Sequence, residues 1–393
     1  MVKTLNNTVT SYFNALGYLS VLSALLLSAC SNVSDRNSAA IDCPLRDMPY
    51  SVTTPLIDIM LKPEAKAVVS RHLGPVLDNA PKAFMSTEAP SFSAILDLSK
   101  LFGMGGKAMP ASTLQTIDRE LAALEITEAD RIARCRRYDN DVPDIVIPGG
   151  HPRVLVFEKM TGFRDGPSVE ASSAALKTMA ENNGWAMVVT DRGGAITPAV
   201  LQQFDVVIWN NVSGDVLTLS QRENFKRYIN SGGGYVGIHG SGGDPVYLWD
   251  WYVDELLGAR FIGHPMEPQF QDARVVVENN SEGIGRGLPA SWVANEEWYS
   301  FKSSPRESGA TVIATLDESS YTPLGRGGQK LAMGDHPIAW SRCIGDGRSF
   351  YSAIGHRPEM YREMNNLHLI KQGILWAAGE GGTVCSNGQP AIP

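Results

Sequence analysis

The sequence predicts an α/β fold: a mostly parallel sheet with helices on both faces, preceded by a small helical module. Three observations predict it. From Pro152 onward, short apolar runs alternate with segments of helical character, the order of parallel strands joined by helical crossovers. The stretch 43–147 before them carries its apolar residues at helical spacing instead. Finally, GGGYVGIHGSGG (232–243) sets a glycine-bracketed turn directly after an apolar run, at a strand end where open α/β sheets place their ligands. With 393 residues, 43% of them hydrophobic and 19% charged, the chain is long enough for two domains and a sizeable core.

The N-terminus has a composition of its own. Lys3 is the only charge before Cys30, and LGYLSVLSALLLSA (16–29) is apolar but too short to span a bilayer comfortably, so 1–29 reads as an export signal. Its end, Leu27-Ser28-Ala29-Cys30, is similar to a bacterial lipobox, which makes Cys30 the expected lipid anchor; an ordinary secretory signal is the alternative. Ser31 rather than Asp follows, as in lipoproteins sent on to the outer membrane. The expected location is therefore the cell envelope, on the periplasmic face or the cell surface, with several acyl chains giving a stable hold. Residues 30–42, with SNVSDRNSAAID, have the small polar composition of a flexible tether.

A net charge of −8 without a basic run removes the electrostatic footprint of nucleic-acid binding. An exported chain keeps disulfides, and the four cysteines beyond Cys30 allow three pairings. The expected pairs are Cys43 with Cys135, stapling the ends of the helical module, and Cys343 with Cys385, tying the tail 381–393 to a late strand. Free buried thiols are the alternative.

In the module, Ala65, Val68, Val69 and Leu73 follow Pro63 at helical spacing, and Leu114, Ile117, Leu121 and Leu124 repeat the pattern. FGMGGKAMP (102–110) between them reads as a loop. With His72 as its single histidine and no tryptophan, the module is assigned no chemistry. The expected strands then follow in order: RVLVF (153–157), WAMVVT (185–190), DVVIWNN (205–211), YVGIH (235–239), RVVVE (274–278), TVIATL (311–316), HPIAWSR (336–342) and RSFYSAI (348–354). A helix through Leu367, Ile370 and Ile374 closes the domain before Gly379.

His239 stands where many α/β enzymes present a Cys or Ser nucleophile on a sharp turn. His264 in RFIGHP, His336 in GDHPIAW and His356 in SAIGHRPEMY also lie beside glycine or proline or at element boundaries. If these loops converge, the imidazoles can bind a divalent transition metal such as zinc, with His239, His264 and His356 as ligands, or share proton transfer and sugar hydroxyl contacts. No compact HExxH or CxxC spacing decides between these. Among the carboxylates, Glu297 in NEEWYSF is the best candidate for direct work, with His239 and His336 as its catalytic partners and Asp244, after the glycine turn, as a substrate contact. Aromatic faces stack on pyranose rings, so Trp249, Trp251, Trp298 and Tyr299, which sit in polar-rich segments, are candidate sugar contacts; ordinary packing is the alternative for each.

The ordered series GGGYVGIHGSGG, WDWYVDELLGARFIGHP, EEWYSF with SPR, ATLDESSY, GDHPIAW and YSAIGH resembles the ThuA-like family, named for trehalose utilisation, over roughly 152–380. The resemblance implies a flavodoxin-like sheet similar to class I glutamine amidotransferases. No cysteine lies near the turn at His239, so thioester chemistry with glutamine is not expected. The resemblance further implies disaccharide or glycoside metabolism, including 3-keto sugars made by partner oxidoreductases. The family's motif histidines correspond to His239, His264, His336 and His356, and its EWY acid to Glu297.

The expected function is therefore a carbohydrate-active enzyme that cleaves or isomerises a disaccharide or 3-keto-glycoside by His/Glu acid–base or metal-assisted chemistry. The alternative is a non-catalytic, outer-membrane-anchored oligosaccharide-binding protein.

Overall fold

The computed structural model describes residues 41–104, 109–279, 283–381, 384–386 and 389–391. The expected signal, Cys30 and nearly all of the expected tether lie outside the described residues. The tether's last two positions already belong to the fold: Ile41 is buried, and Asp42 accepts the N–H groups of Leu219 and Ser220.

The helical module contains α1 (Leu56–Leu61), α2 (Pro63–Asp78), α3 (Leu98–Met104), α4 (Ala111–Ala122) and α5 (Glu128–Cys135). Pro63 opens α2, where its missing N–H costs nothing, and Ala65, Val68, Val69 and Leu73 form the buried stripe. Ile117 and Leu121 are the buried face of α4, and Thr127 with Asp130 forms a capping box that starts α5. These stripes meet around Tyr50, Leu56 and Leu96 in a core separate from that of the sheet. The expected loop at 102–110 begins later than its glycines suggest, because α3 runs on to Met104.

Both expected disulfides are present, Cys43–Cys135 and Cys343–Cys385. Arg137 clamps Asp58 with two buried bonds of 2.7 and 2.9 Å. The module is seated on the second domain by Tyr138 Oη donating to Asp215, by Gln221 donating to the Asp139 carbonyl, and by Ser91 N–H donating to the Thr161 carbonyl.

The second domain is built on a nine-stranded sheet. In chain order its strands are β1 (Arg153–Phe157), β2 (Ala186–Thr190), β3 (Val206–Asn210), β4 (Gly234–Ile238), β6 (Phe270–Val277), β7 (Ser291–Glu297), β9 (Thr311–Asp317), β10 (Pro337–Ile344) and β11 (Gly347–Ser352); the short β5 (Phe261–Gly263) and β8 (Ser300–Phe301) pair outside it. The spatial order is β2-β1-β3-β4-β11-β10-β9-β6-β7. The first five are mutually parallel and have the doubly wound order of flavodoxin-type sheets. The remaining pairings are antiparallel, so seven of the nine strands point the same way, only β10 and β6 opposing them.

The crossovers are α6 (Gly166–Asn183), α7 (Pro198–Leu201) and α8 (Leu219–Asn230), with α9 (Met364–Ala377) closing the domain against β11 and β4. The direction of winding reverses at β1, which, with right-handed crossovers, sends α6 to one face and α7 and α8 to the other. β1, β3 and β4 are buried almost throughout, which explains their unbroken apolar runs. Among the described residues no helix is long and apolar enough to cross a membrane.

Candidate functional site

A cavity of about 490 Å³ opens at the carboxyl ends of β1, β3 and β4, over the point where the strand order reverses. His239, Glu297, His356, His264, Asp244 and Tyr299 all line it.

His239 begins the turn after β4 with φ of 37°, a left-handed conformation that non-glycine residues rarely hold without support. Its support is local. The Tyr351 hydroxyl donates to its carbonyl at 2.8 Å, and its ring lies 4.1 Å from that of Tyr299. The chain returning from β11 passes it closely: Gly355 has φ of 147°, and a Cβ there would sit 2.5 Å from the Tyr361 hydroxyl and 3.2 Å from the His239 Cβ. A side chain at 355 would therefore push against the turn that aims His239.

The His239 Nδ1 lies 2.8 Å from the Ala353 carbonyl, an acceptor, so this nitrogen carries the hydrogen and Nε2 presents a lone pair. That lone pair points at two groups: Glu297 Oε2 at 3.4 Å and His356 Nδ1 at 3.3 Å. Glu297 Oε2 and His356 Nδ1 are 3.1 Å apart, closing a triangle of possible ligand atoms. The other Glu297 oxygen accepts from Gln269 and lies 3.3 Å from His264 Nδ1, while His356 Nε2 is 3.4 Å from Asp165.

Burial lowers the His239 ring below its ordinary value, which keeps it neutral despite Glu297. For Glu297, burial acts upward, but the surrounding imidazoles of His239, His356 and His264 hold the carboxyl well below its usual range. Burial also opposes the charged form of His356, yet Glu297, Glu296 and Asp165 together lift it above its ordinary value. Because His239 Nε2 has no hydrogen to give, a proton within the triangle resides on His356. Without that proton, three electron-rich atoms face one another, an arrangement that a cation relieves.

Asp244 lies at the cavity edge, where it accepts from the Ser213 hydroxyl and the Gly214 N–H, both at 2.6 Å. It thereby holds the loop after β3. Burial pushes its carboxyl up to about 7.

Four expected site residues lie elsewhere. His336 is buried away from the cavity, with Nδ1 2.7 Å from Glu318 and Nε2 2.9 Å from the Tyr299 carbonyl; it holds the backbone of a lining residue instead of reaching the cavity. Trp298 is fully buried and donates from Nε1 to the Gln271 carbonyl, because on leaving β7 it turns into the core while its neighbours Glu297 and Tyr299 face the cavity. Trp249 and Trp251 pack on each other and beneath Arg222 and Lys226 of α8, outside the cavity lining. Of the expected metal ligands, His239 and His356 converge, whereas His264 stands behind Glu297 and its Nδ1 is also 2.8 Å from the Pro265 carbonyl. Glu297 takes the third place in the triangle.

Sequence reasoning missed Asp165, Gln269 and the module's own contribution to the cavity. Asp165 carries a modest signal, an acid just before the Gly-Pro that opens a helix. Phe84, Phe92, Ile95 and Leu96 look like ordinary core in sequence, yet they line the same cavity as His239.

A family model described as ThuA, trehalose utilisation, matches residues 153–377. Among solved structures, a ThuA-like protein of Bacteroides uniformis is 25% identical, with a TM-score of 0.49, over 60% of this chain and 95% of the other. A ThuA-like protein of Parabacteroides merdae is 16% identical, with a TM-score of 0.44, over 60% of this chain and 96% of the other. A β-galactosidase of Bacillus circulans sp. alkalophilus is 14% identical, with a TM-score of 0.38, over 68% of this chain and 37% of the other. No protein of curated function matches the chain. The family match spans more than half of the residues, and the chain belongs to the ThuA (trehalose utilisation) family.

Proposed function

We propose that this protein is a carbohydrate-active enzyme that cleaves a keto-glycoside, with a divalent transition metal such as zinc held by His239, Glu297 and His356. The family description, trehalose utilisation, supports a glycosidic substrate. The single observation that carries the reading is the triangle of His239 Nε2, Glu297 Oε2 and His356 Nδ1, with sides of 3.4, 3.3 and 3.1 Å.

A zinc-like ion binds nitrogen and oxygen at about 2.0–2.2 Å, which sets neighbouring ligand atoms roughly 3.0–3.5 Å apart. The three side chains meet that requirement, and their outer partners are of the expected kind. The Ala353 carbonyl fixes the tautomer of His239, Gln269 orients Glu297, and Asp165 backs His356. Two histidines and one glutamate are a ligand set of catalytic zinc. A bound cation there supplies Lewis-acid polarisation of a substrate carbonyl oxygen.

The chain's own residues supply positioning and proton transfer. A keto group at C3 of a glycoside acidifies the C2–H. His264, whose Nδ1 is engaged by Pro265, offers Nε2 as the base that takes this proton. The C–H electron pair becomes a C1=C2 bond, the C1–O bond breaks, and the departing oxygen takes up the proton that His264 accepted. Tyr299 and the close-packed turn around His239 keep the floor rigid during this change. The keto group requires an upstream sugar oxidoreductase. A cell-envelope location, lipid-anchored through Cys30, agrees with the two disulfides, which persist in oxidising compartments. The binding-protein alternative shares the expected tether and acidic surface, but of its aromatic sugar contacts Trp249, Trp251 and Trp298 lie outside the cavity lining and Tyr299 alone is in it.

The test is turnover of 3-keto-trehalose and methyl 3-keto-glucoside by metal-stripped and zinc-reloaded protein. Product formed only by reloaded wild type, and lost in His239→Ala and Glu297→Gln, is expected. Absence of product in every arm, together with no zinc retained, overturns the proposal.

A further inference from the structure

The cavity has two unlike parts. Its floor carries His239, Glu297 and His356. A separate, apolar part of its lining is built by the N-terminal module, which places Phe84, Phe92, Ile95 and Leu96 against the same space, with Phe163 from the loop after β1 beside them. None of these five side chains has a polar atom.

The wall is a fixed construction. Phe92 stacks on Phe163 with ring centroids 4.7 Å apart and planes 23° from parallel, and Phe84 meets Phe92 edge-on at 5.5 Å. Ser91 N–H bonds the Thr161 carbonyl immediately beside this stack. On the Thr161–Phe163 loop, a Cβ at Gly162 would lie 2.5 Å from the Ile95 side chain, so module and sheet domain are in close contact here. Phe163 is nonetheless 39% exposed, and Ile262, also in the lining, 40% exposed. Large apolar groups left open on a common hollow are covered at little cost only by an apolar partner.

We infer that the substrate is a glycoside whose aglycone is aromatic or otherwise apolar, with its sugar on the His239–Glu297–His356 floor and its aglycone against the wall of Phe84, Phe92, Ile95 and Phe163. This rests on the keto-glycoside reading above and narrows it. A second pyranose at the wall would bring hydroxyls against the Phe84, Phe92, Ile95 and Phe163 side chains, which offer no hydrogen bond, while the neighbouring Ser213 hydroxyl already donates to Asp244. An aryl group instead gains stacking and burial. The module, which lies outside the family match at 153–377, is thus a specificity element of the site.

The inference is tested by binding, separately from turnover. Calorimetry compares phenyl β-thioglucoside, methyl β-thioglucoside and trehalose, none of which need react, on the full chain without added metal. The phenyl ligand should bind at least about tenfold more tightly than the methyl ligand and than trehalose, the expected gain from burying a ring. Phe163→Ser and Phe92→Ala should each bring the phenyl affinity down to within about threefold of the methyl affinity, with circular dichroism confirming that both variants fold. Equal affinities in the wild type, no detectable phenyl binding, or a phenyl preference that survives in folded Phe163→Ser overturns the inference. A phenyl preference without any zinc-dependent turnover would retain the apolar subsite while removing the proposed chemistry.

Discussion

Glu296 holds the main chain on both sides of His356: its carboxylate accepts the N–H of Gly355 at 3.1 Å and that of Arg357 at 3.3 Å. A third bond, from the N–H of Glu297 at 2.7 Å, closes the set. Two adjacent acids on β7 therefore divide the work. Glu297 meets the His356 ring, and Glu296 fixes the backbone that carries it. Glu296 is fully buried, which pushes its carboxyl up to about 8 against the downward pull of these N–H groups. Removing it in Glu296→Ala leaves three buried donors unpaired, with an expected loss of about 3 kcal/mol in denaturant unfolding. Glu296→Gln, which keeps one acceptor oxygen, should lose about half as much.

Gln269 touches none of the triangle's other members, but it orients Glu297 through the second carboxylate oxygen. Outer partners of this type are worth about ten- to a hundredfold in metal affinity. Gln269→Ala should weaken zinc binding by that factor in competition with a chromogenic chelator, whereas His239→Ala should abolish stoichiometric binding. Equal affinity in Gln269→Ala and wild type would remove this residue from the account.

Asp244 makes stability depend on pH. Burial lifts its carboxyl to about 7, while an unfolded aspartate titrates near pH 4. Between these values the unfolded chain has released the proton that the folded protein still holds, so stability falls as pH rises through this window and levels off above it. Between about pH 5 and pH 8 the wild type should lose roughly 2 kcal/mol more than Asp244→Asn, measured by denaturant unfolding of both at the two pH values.

The buried indole of Trp298 is structural. Trp298→Ala should cost about 3–5 kcal/mol through the cavity it leaves and the lost bond to Gln271. Trp249→Ala, outside the cavity lining, should leave the affinity for phenyl β-thioglucoside within about twofold of wild type, which calorimetry reads directly.

Cys43 and Cys135 are 92 positions apart, and their bond closes nearly the whole module. Replacing both by serine should lower stability by about 5 kcal/mol, the entropy of that loop in the unfolded chain. The thermal midpoint of the wild type should fall correspondingly on reduction.

The strands that apolar runs reveal are those buried on both faces. RVLVF is β1 from end to end, DVVIWNN contains the whole of β3, and YVGIH contains all of β4 but Gly234. β7 escaped notice because SWVANEE buries Trp292, Ala294 and Glu296 in alternation, and a buried glutamate looks polar in sequence. That one strand carries both acids discussed above. The aromatic clusters misled for the converse reason: tryptophans in polar surroundings read as exposed, although Trp298 is among the most buried side chains described.

By itself the sequence determined the alternation of strand and helix, the family and the turn that presents His239, because each leaves a signature in local periodicity or in an ordered run of motifs; of the three pairings it allowed its four cysteines, the structure selects Cys43–Cys135 and Cys343–Cys385. Only the tertiary structure decided that His356, 117 positions from His239, meets it while His336 does not, that Glu297 completes the triangle with them, and that the helical module lines the cavity. Such meetings depend on strand order and on the paths of loops between distant segments, and no short window of residues encodes where two remote side chains come to rest.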